Sequence, residues 1–384
     1  MPKAAPPPPR TAAALRAVAR WWSAGSVGHL SVALLAVALL PRLYVAIAWA
    51  STPVWDGHFY DFGAQRIAAG LGYADDLLVG SALTPHPWCH YPVGYSALLA
   101  APYRLLGHGP YVVPTLNAII GALLAVVIYR TARHATTEPR ARVAGLLVAA
   151  HPGLITYTPL AMTELTAALA VSAAAWAATV RGCRPWRGAL PGLVLGLATL
   201  VRPQSILLAP AIALFAGPAT PVGAWARRAL PLGAIAVAAA LAVVSPWTLR
   251  NCRVMDGCAF VSTNAGWNLA IGSFPRATGR FSTLRSSDGC QVITGQVQQD
   301  RCWWGRGVEW IRADPGRWLG LIPRKLGETF DHESYAVGYL AEANPTTWPE
   351  ARRERARGWL TAIHQLVLWL AALGVVAWPL GRRR

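Results

Sequence analysis

Charge is scarce in this chain. Only 14% of its 384 residues are Asp, Glu, Lys or Arg, and 17 of them are acids. With 54% apolar residues alongside, that scarcity excludes a disordered chain and a water-soluble domain of ordinary composition. The sequence also lacks a P-loop, a dinucleotide-binding fingerprint and a His-Glu-x-x-His motif, so it offers no support for a nucleotide-sugar substrate or a zinc protease. No cysteines have CxxC spacing, and no histidine lies among Cys252, Cys258, Cys290 and Cys302, which argues against zinc.

Long apolar runs are abundant. Crossing about 30 Å of hydrocarbon takes roughly 17 to 25 residues. Runs near that length predict an all-α polytopic membrane protein with about eight transmembrane helices, near 28–50, 110–129, 142–160, 164–180, 188–201, 203–218, 229–249 and 359–380. The third to sixth are separated by short polar breaks and form tight helical hairpins. The fifth and sixth are short enough to tilt or to stop below the surface.

A formal net charge of +18 would suggest nucleic acid as a partner if it lay on a soluble surface. It sits instead beside the spans. Lys3, Arg10, Arg16 and Arg20 precede the first; Arg130, Arg133, Arg140 and Arg142 follow the second. Arg181, Arg184 and Arg187 follow the fourth, Arg227 and Arg228 the sixth, and Arg382 to Arg384 close the chain. The positive-inside rule then places both termini in the cytoplasm, with membrane lipids and no nucleic acid as partners. Arg352 to Arg357 fall on the opposite side, in a long loop where the rule is weak. The opening MPKAAPPPPR is proline-rich and expected to be disordered, and the first span is expected to stay as an anchor.

This topology divides the chain into a basic cytoplasmic tail (1–27), a transmembrane module (28–249) with a first outer loop at 51–109, a second outer region (250–358), and a last span with a basic tail (359–384). The two outer regions are expected to carry interfacial helices. Five of the six cysteines lie outside and Cys183 inside. The four in the second region can form two bridges, with three pairings open.

Candidate site residues lie at the outer ends of the spans. Asp56 and Tyr60 are four apart and share a face of an amphipathic helix that Gly70 and Gly72 end. The competing reading of Asp56 is a helix N-cap, and of Asp61, Asp75 and Asp76 a solvated face or turn. His86, His90 and Tyr91 fall in the proline-ordered loop HPWCHYPVGYSALLA, which suits a sugar and equally an interfacial aromatic belt. Charges within or beside spans are costly, which singles out Arg42, Glu164, Arg202 and Arg250. The arginines either snorkel to headgroups or hold a lipid phosphate. Asn264, Trp267 and Asn268 in STNAGWNLAIGS offer a sugar an aromatic face and amides, and are equally at home in a structural turn. Pro315 begins an interfacial helix with Trp318, Leu319 and Ile322 toward lipid and Arg317, Arg324 and Lys325 toward headgroups.

Several stretches, in order, carry a resemblance: PRLYVAIAWA with DGHFYDFGAQRIAAGLGY, HYPVGYSALLAAPYRLLG, TELTAALA, GLATLVRPQSILLAP, SPWTLRN, FVSTNAGWNLAIGSFPRATGRF and EWIRADPGRWLGLIPRKLGETF. The chain resembles the polyprenyl-phosphate-dependent glycosyltransferases of the C superfamily (GT-C), and within it the family 39-like group of protein O-mannosyltransferases and lipid A aminoarabinose transferases. The resemblance implies inverting transfer of a hexose or pentose from a polyprenyl-phosphate donor to a lipid, glycan or protein acceptor on the outer face. It implies Asp56 as general base, Arg202, Arg250 and Arg42 on the donor phosphate, and Tyr60, His86, His90, Tyr91, Glu164, Asn264, Trp267 and Asn268 around the substrates. No cofactor is called for, no residue is assigned to a metal, and a divalent ion is left open. The chain departs from the pattern at Gly57, where relatives often carry a second acid, and at Pro92-Val93, where many have two prolines. It also has one span after the second outer region, where relatives often have several. A lipid-linked sugar transporter or flippase, or a non-catalytic subunit of the same fold, is the alternative; neither would need a base at Asp56.

Overall fold

The computed structural model describes residues 25–79, 81–181, 185–215 and 222–381. The proline-rich tail, Cys183, Arg184 and Arg382 to Arg384 lie outside the described residues.

The chain is mostly helical. Helix α1 (Val27–Ala48) leads to α2 (Asp56–Ala68), a hairpin of β1 (Ala74–Val79) and β2 (Ala82–Pro87), α3 (Val93–Leu106) and α4 (Val112–Ala135). Then come α5 (Glu138–Ala149), the single turn α6 (Pro152–Thr156), α7 (Glu164–Arg181), α8 (Ala189–Val201) and α9 (Val222–Val254). After them follow α10 (Ala265–Ile271), α11 (Gln296–Ala313), α12 (Pro315–Gly320), α13 (Ile322–Asp331), α14 (Tyr335–Ala343) and α15 (Glu350–Gly381).

Among the described residues four helices are long and apolar enough to cross a membrane: Val27–Ala48, Val112–Ala135, Ala229–Val254 and Glu350–Ala377. Glu164–Val180 and Trp186–Val201 are shorter apolar helices. Two of the expected spans are not continuous. The 142–160 run breaks where Pro152, which has no amide hydrogen to donate, opens a fresh turn after α5. The 203–218 run begins with Pro203 and is two short 3₁₀ stretches, Pro203–Leu208 and Pro210–Phe215, separated by Ala209.

Small residues let the helices approach. Gly188, Gly192 and Gly196 recur every fourth residue against α9, and a Cβ at Gly196 would stand 2.6 Å from the Val243 Cβ. Leu30, Leu34 and Ala38 of α1 pack on Ala122, Ala125 and Tyr129 of α4 and Ala141 of α5. A third cluster, with Tyr60, Tyr95, Leu99, Tyr103, Ala161 and Val201, ties α2 and α3 to the ends of the central helices.

The antiparallel hairpin pairs Ala74 with Pro87 and Val79 with Ala82, and it is the departure from an all-helical chain. Its Leu77, Leu78, Val79 and Leu83 are exposed. Arg66 holds Asp76 with two bonds of 2.6 and 2.9 Å, and His86 lies 2.7 Å from Asp75. Asp61 is buried rather than solvated; it accepts from Tyr103 and, at 2.8 Å, from Gln65.

Among the described residues two disulfides form, Cys252–Cys258 and Cys290–Cys302, and Cys89 is free and buried. The stretch from Pro315 is two helices, with Asp314 capping the first by accepting from the Arg317 amide at 2.9 Å. Leu319, Ile322, Leu326 and Phe330 are exposed. Arg317 and Lys325 turn inward, contrary to the headgroup expectation. Arg317 donates to the Ser273 and Phe274 carbonyls, and Lys325 to that of Gly272 at 2.6 Å, which satisfies backbone acceptors just after α10.

Candidate active site

Asp56 is the first residue of α2, not its cap. Trp55 stands at the cap position and makes no side-chain capping bond. Trp55 has φ of 49°, and it is the single non-glycine with positive φ among the described residues. A bulky residue held in that region is strained, and such strain persists where the surroundings over-determine it. The Trp55 ring packs edge-on against Tyr339 at 4.8 Å.

Two tyrosines reach the Asp56 carboxylate from opposite parts of the chain. Tyr91 donates to Oδ1 at 2.7 Å, and Tyr339 approaches Oδ2 at 3.4 Å. Burial, and then the bond to Asp56, pushes the Tyr91 phenol above its ordinary range; burial and the Asp56 charge do the same to Tyr339 and Tyr60. All three stay protonated at neutral pH, and Tyr91 and Tyr339 stay donors. The contact at Oδ2 is the longer of the two.

The wall facing Asp56 is built from helix ends. Asn117, fully buried in α4, donates to the carbonyls of Thr158 at 3.2 Å and Leu160 at 2.6 Å, and so fixes the irregular run into α7. Glu164 starts α7 and Arg202 follows α8. Arg202 donates from Nη2 to Glu164 at 2.5 Å and from Nε to Thr163 at 2.9 Å. The pair is only part-buried, with side chains 37% and 26% exposed. The other oxygen of Glu164 is buried without a partner. Gly94 lets α3 lie against this wall, since a Cβ there would meet the Leu200 carbonyl carbon at 2.5 Å.

These groups share one cavity of about 540 Å³. Asp56, Tyr60, Tyr91, Glu164, Arg202, Asn264 and Asn268 all line it, so the structure brings together seven of the twelve residues singled out from the sequence. The other five do not line it. Arg42 is fully buried and donates to the carbonyls of Ala38, Val148 and Ala149 at 2.7 to 3.0 Å, which makes it a clamp on the end of α5. Arg250 donates to the carbonyls of Tyr73 at 2.8 Å and Trp88 at 3.0 Å and lies over the Trp247 ring, tethering the hairpin to α9. Neither guanidinium is placed to meet a phosphate in the cavity. His86 belongs to the hairpin. His90 stands behind Tyr91, with its ring 6.2 Å from that of Trp267.

The cavity also contains residues that sequence reasoning missed: Tyr157, Thr163, Gln204, Tyr335 and Tyr339. The last two are four apart in SYAVGYL, a spacing that puts both rings on one helix face and was the available signal. Gly57 has a local reason. A Cβ there would stand 3.3 Å from the Ala161 carbonyl oxygen, so the position leaves little room for a second acid.

Among the described residues no three of His, Cys, Asp and Glu come together. In the cavity one carboxylate takes tyrosine hydroxyls and the other takes a guanidinium.

Residues 90–249 match the family model described as "Dolichyl-phosphate-mannose-protein mannosyltransferase", a segment that includes Glu164 and Arg202 and leaves out Asp56. Among solved structures, the chain is similar to the Archaeoglobus fulgidus oligosaccharyltransferase tethered with an acceptor peptide containing the NVT sequon via a disulfide bond. The identity is 14% and the TM-score 0.45, over 91% of this chain and 38% of that one. The chain thus spans well under half the length of that protein. No curated protein matches it. The matched segment is less than half of the chain, and helices of membrane-crossing length lie within and beside it.

Proposed function

We propose that the protein transfers a monosaccharide from a polyprenyl-phosphate donor to an acceptor hydroxyl, with inversion, on the outer face of a bacterial-type plasma membrane and with both termini in the cytoplasm. The observation that carries this reading is one cavity holding a tyrosine-bonded carboxylate and an accessible guanidinium. Asp56 takes the proton of the acceptor hydroxyl as its oxygen bonds to the anomeric carbon. The bond from that carbon to the phosphate oxygen breaks, and its electron pair leaves on the phosphate monoester. The leaving group departs as an anion and calls for positive charge rather than an acid, a role for Arg202. Glu164 orients Arg202, and Asn264 and Asn268 offer amides to the sugar. Arg42 and Arg250, engaged with backbone carbonyls, have no part in binding the donor.

The test is transfer by purified protein in liposomes from radiolabelled polyprenyl-phosphate sugars to a membrane extract, wild type against Asp56→Asn. A general base is typically worth about 10²- to 10⁴-fold, so a loss of at least ~100-fold is expected of a folded variant. Equal transfer by both proteins would remove Asp56 as the base.

A further inference from the structure

A second cavity, of about 780 Å³, opens between the loop around Arg280, the end of α13 and the first turns of α15. Tyr335 lines both this cavity and the one that holds Asp56, so the two meet at its side chain. The second cavity is polar, lined by Arg280, Glu328, Asp331, Arg357 and Gln365 beside the exposed ring of Phe281. Arg280 sits on Glu328 at 2.6 Å and Arg357 on Glu354 at 3.5 Å. Opposite charges are paired there, which leaves hydrogen-bonding groups and an aromatic face without a strong field of either sign.

The polar lining ends at Gln365. Beyond it α15 exposes Leu366, Trp369, Leu370, Leu373, Val375 and Val376, and only 6% of its most apolar window is buried. On the other flank α13 exposes Ile322, Leu326 and Phe330. A polar recess that runs into a bare apolar helix surface fits an amphiphile, with its head in the recess and its tail on the helix. The first cavity has a comparable arrangement at the other end, where Arg202 and Gln204 precede the exposed Leu207 and Leu208.

We infer that the second cavity seats the acceptor and that the acceptor is a membrane-anchored glycan, its sugar head between Phe281 and α15 and its hydrocarbon tail along α15. This rests on the transferase reading. The acceptor hydroxyl passes Tyr335 to reach Asp56, its oxygen bonds to the anomeric carbon, its proton goes to Asp56, and the phosphate leaves with the electron pair of the broken bond.

Gly358 lines the recess, and a Cβ there meets nothing within 4 Å, so Gly358→Trp fills the space without moving the backbone. Ala362→Trp, one turn further along the same face, is the second variant. The full chain in liposomes is given radiolabelled polyprenyl-phosphate sugar with either the organic-soluble lipids of a membrane or its delipidated glycan and protein. Release of free labelled sugar to water is followed alongside, because water needs only the first cavity. Label is expected in the organic-soluble fraction. Each variant is expected to raise the half-saturating amount of that fraction at least ~10-fold, while release to water stays within about twofold of wild type. Unchanged acceptor dependence in both variants, or label only in delipidated material, overturns the inference. Wild type that neither releases nor transfers sugar removes the transferase reading itself, and the acceptor site falls with it.

Discussion

Arg42 and Arg202 both stand among apolar helices, and their surroundings make them different devices. Arg42 is 0% exposed, and its terminal nitrogens meet backbone carbonyls of α1 and α5. Val148 and Ala149 cannot leave without unravelling the end of α5. Arg202 is 37% exposed, and its partners are side chains, Glu164 and Thr163, that can rotate away. A guanidinium bonded to main chain is part of the scaffold, whereas one bonded to side chains at a cavity wall can exchange partners for a ligand anion.

The comparison is broken or sharpened by substituting each arginine in turn. The largest effect is expected from Arg202→Gln, which should lower transfer about 100-fold, the scale of losing one donor that stabilises developing negative charge, and leave the unfolding temperature near wild type. Arg42→Gln should do the reverse. Stranding the Ala149 carbonyl costs about 1–3 kcal/mol, read as a lower unfolding temperature in detergent, with transfer per folded molecule kept. An Arg42 variant that loses transfer at full stability would collapse the distinction.

The smallest effect belongs to a third pairing, where a guanidinium meets a carboxylate near water. Arg276 holds Asp288 with two bonds of 3.0 Å and keeps its carboxyl below the usual range against the opposing effect of burial, with the Arg285 amide adding to the hold. A depressed folded value means the stabilisation is present above roughly pH 4, the ordinary aspartate value, and is lost as the pH falls through the folded one. Limited proteolysis of the segment between α9 and α15 from pH 6 down to pH 3 should show protection falling in wild type and a flatter profile in Asp288→Asn.

What could be read in the sequence followed from how local its cause was. Val27–Ala48 and Val112–Ala135 are continuous apolar runs, and length alone announced them. Pro152 and Pro203 interrupt runs that hydropathy joins, because a window average does not register one missing amide hydrogen. The hairpin escaped notice because Leu77, Leu78 and Val79 are consecutive and exposed and give no alternating pattern. Asp56, Arg202 and Glu164 stood out as charges beside spans. The partners that separate Arg202 from Arg42 are set by packing between distant helices, as with Arg42 and Ala149, 107 residues apart.

Tyr339 meets Asp56 from 283 residues further along the chain, whereas Tyr91 is a neighbour only 35 away. During biosynthesis the short-range contact is available once Tyr91 has been translated, and the long-range one waits until α14 has been translated and docked. A partly synthesised chain therefore carries its carboxylate without the second hydroxyl and without the wall that Tyr335 and Tyr339 supply. The site is complete only once a segment 283 residues beyond Asp56 has folded against it.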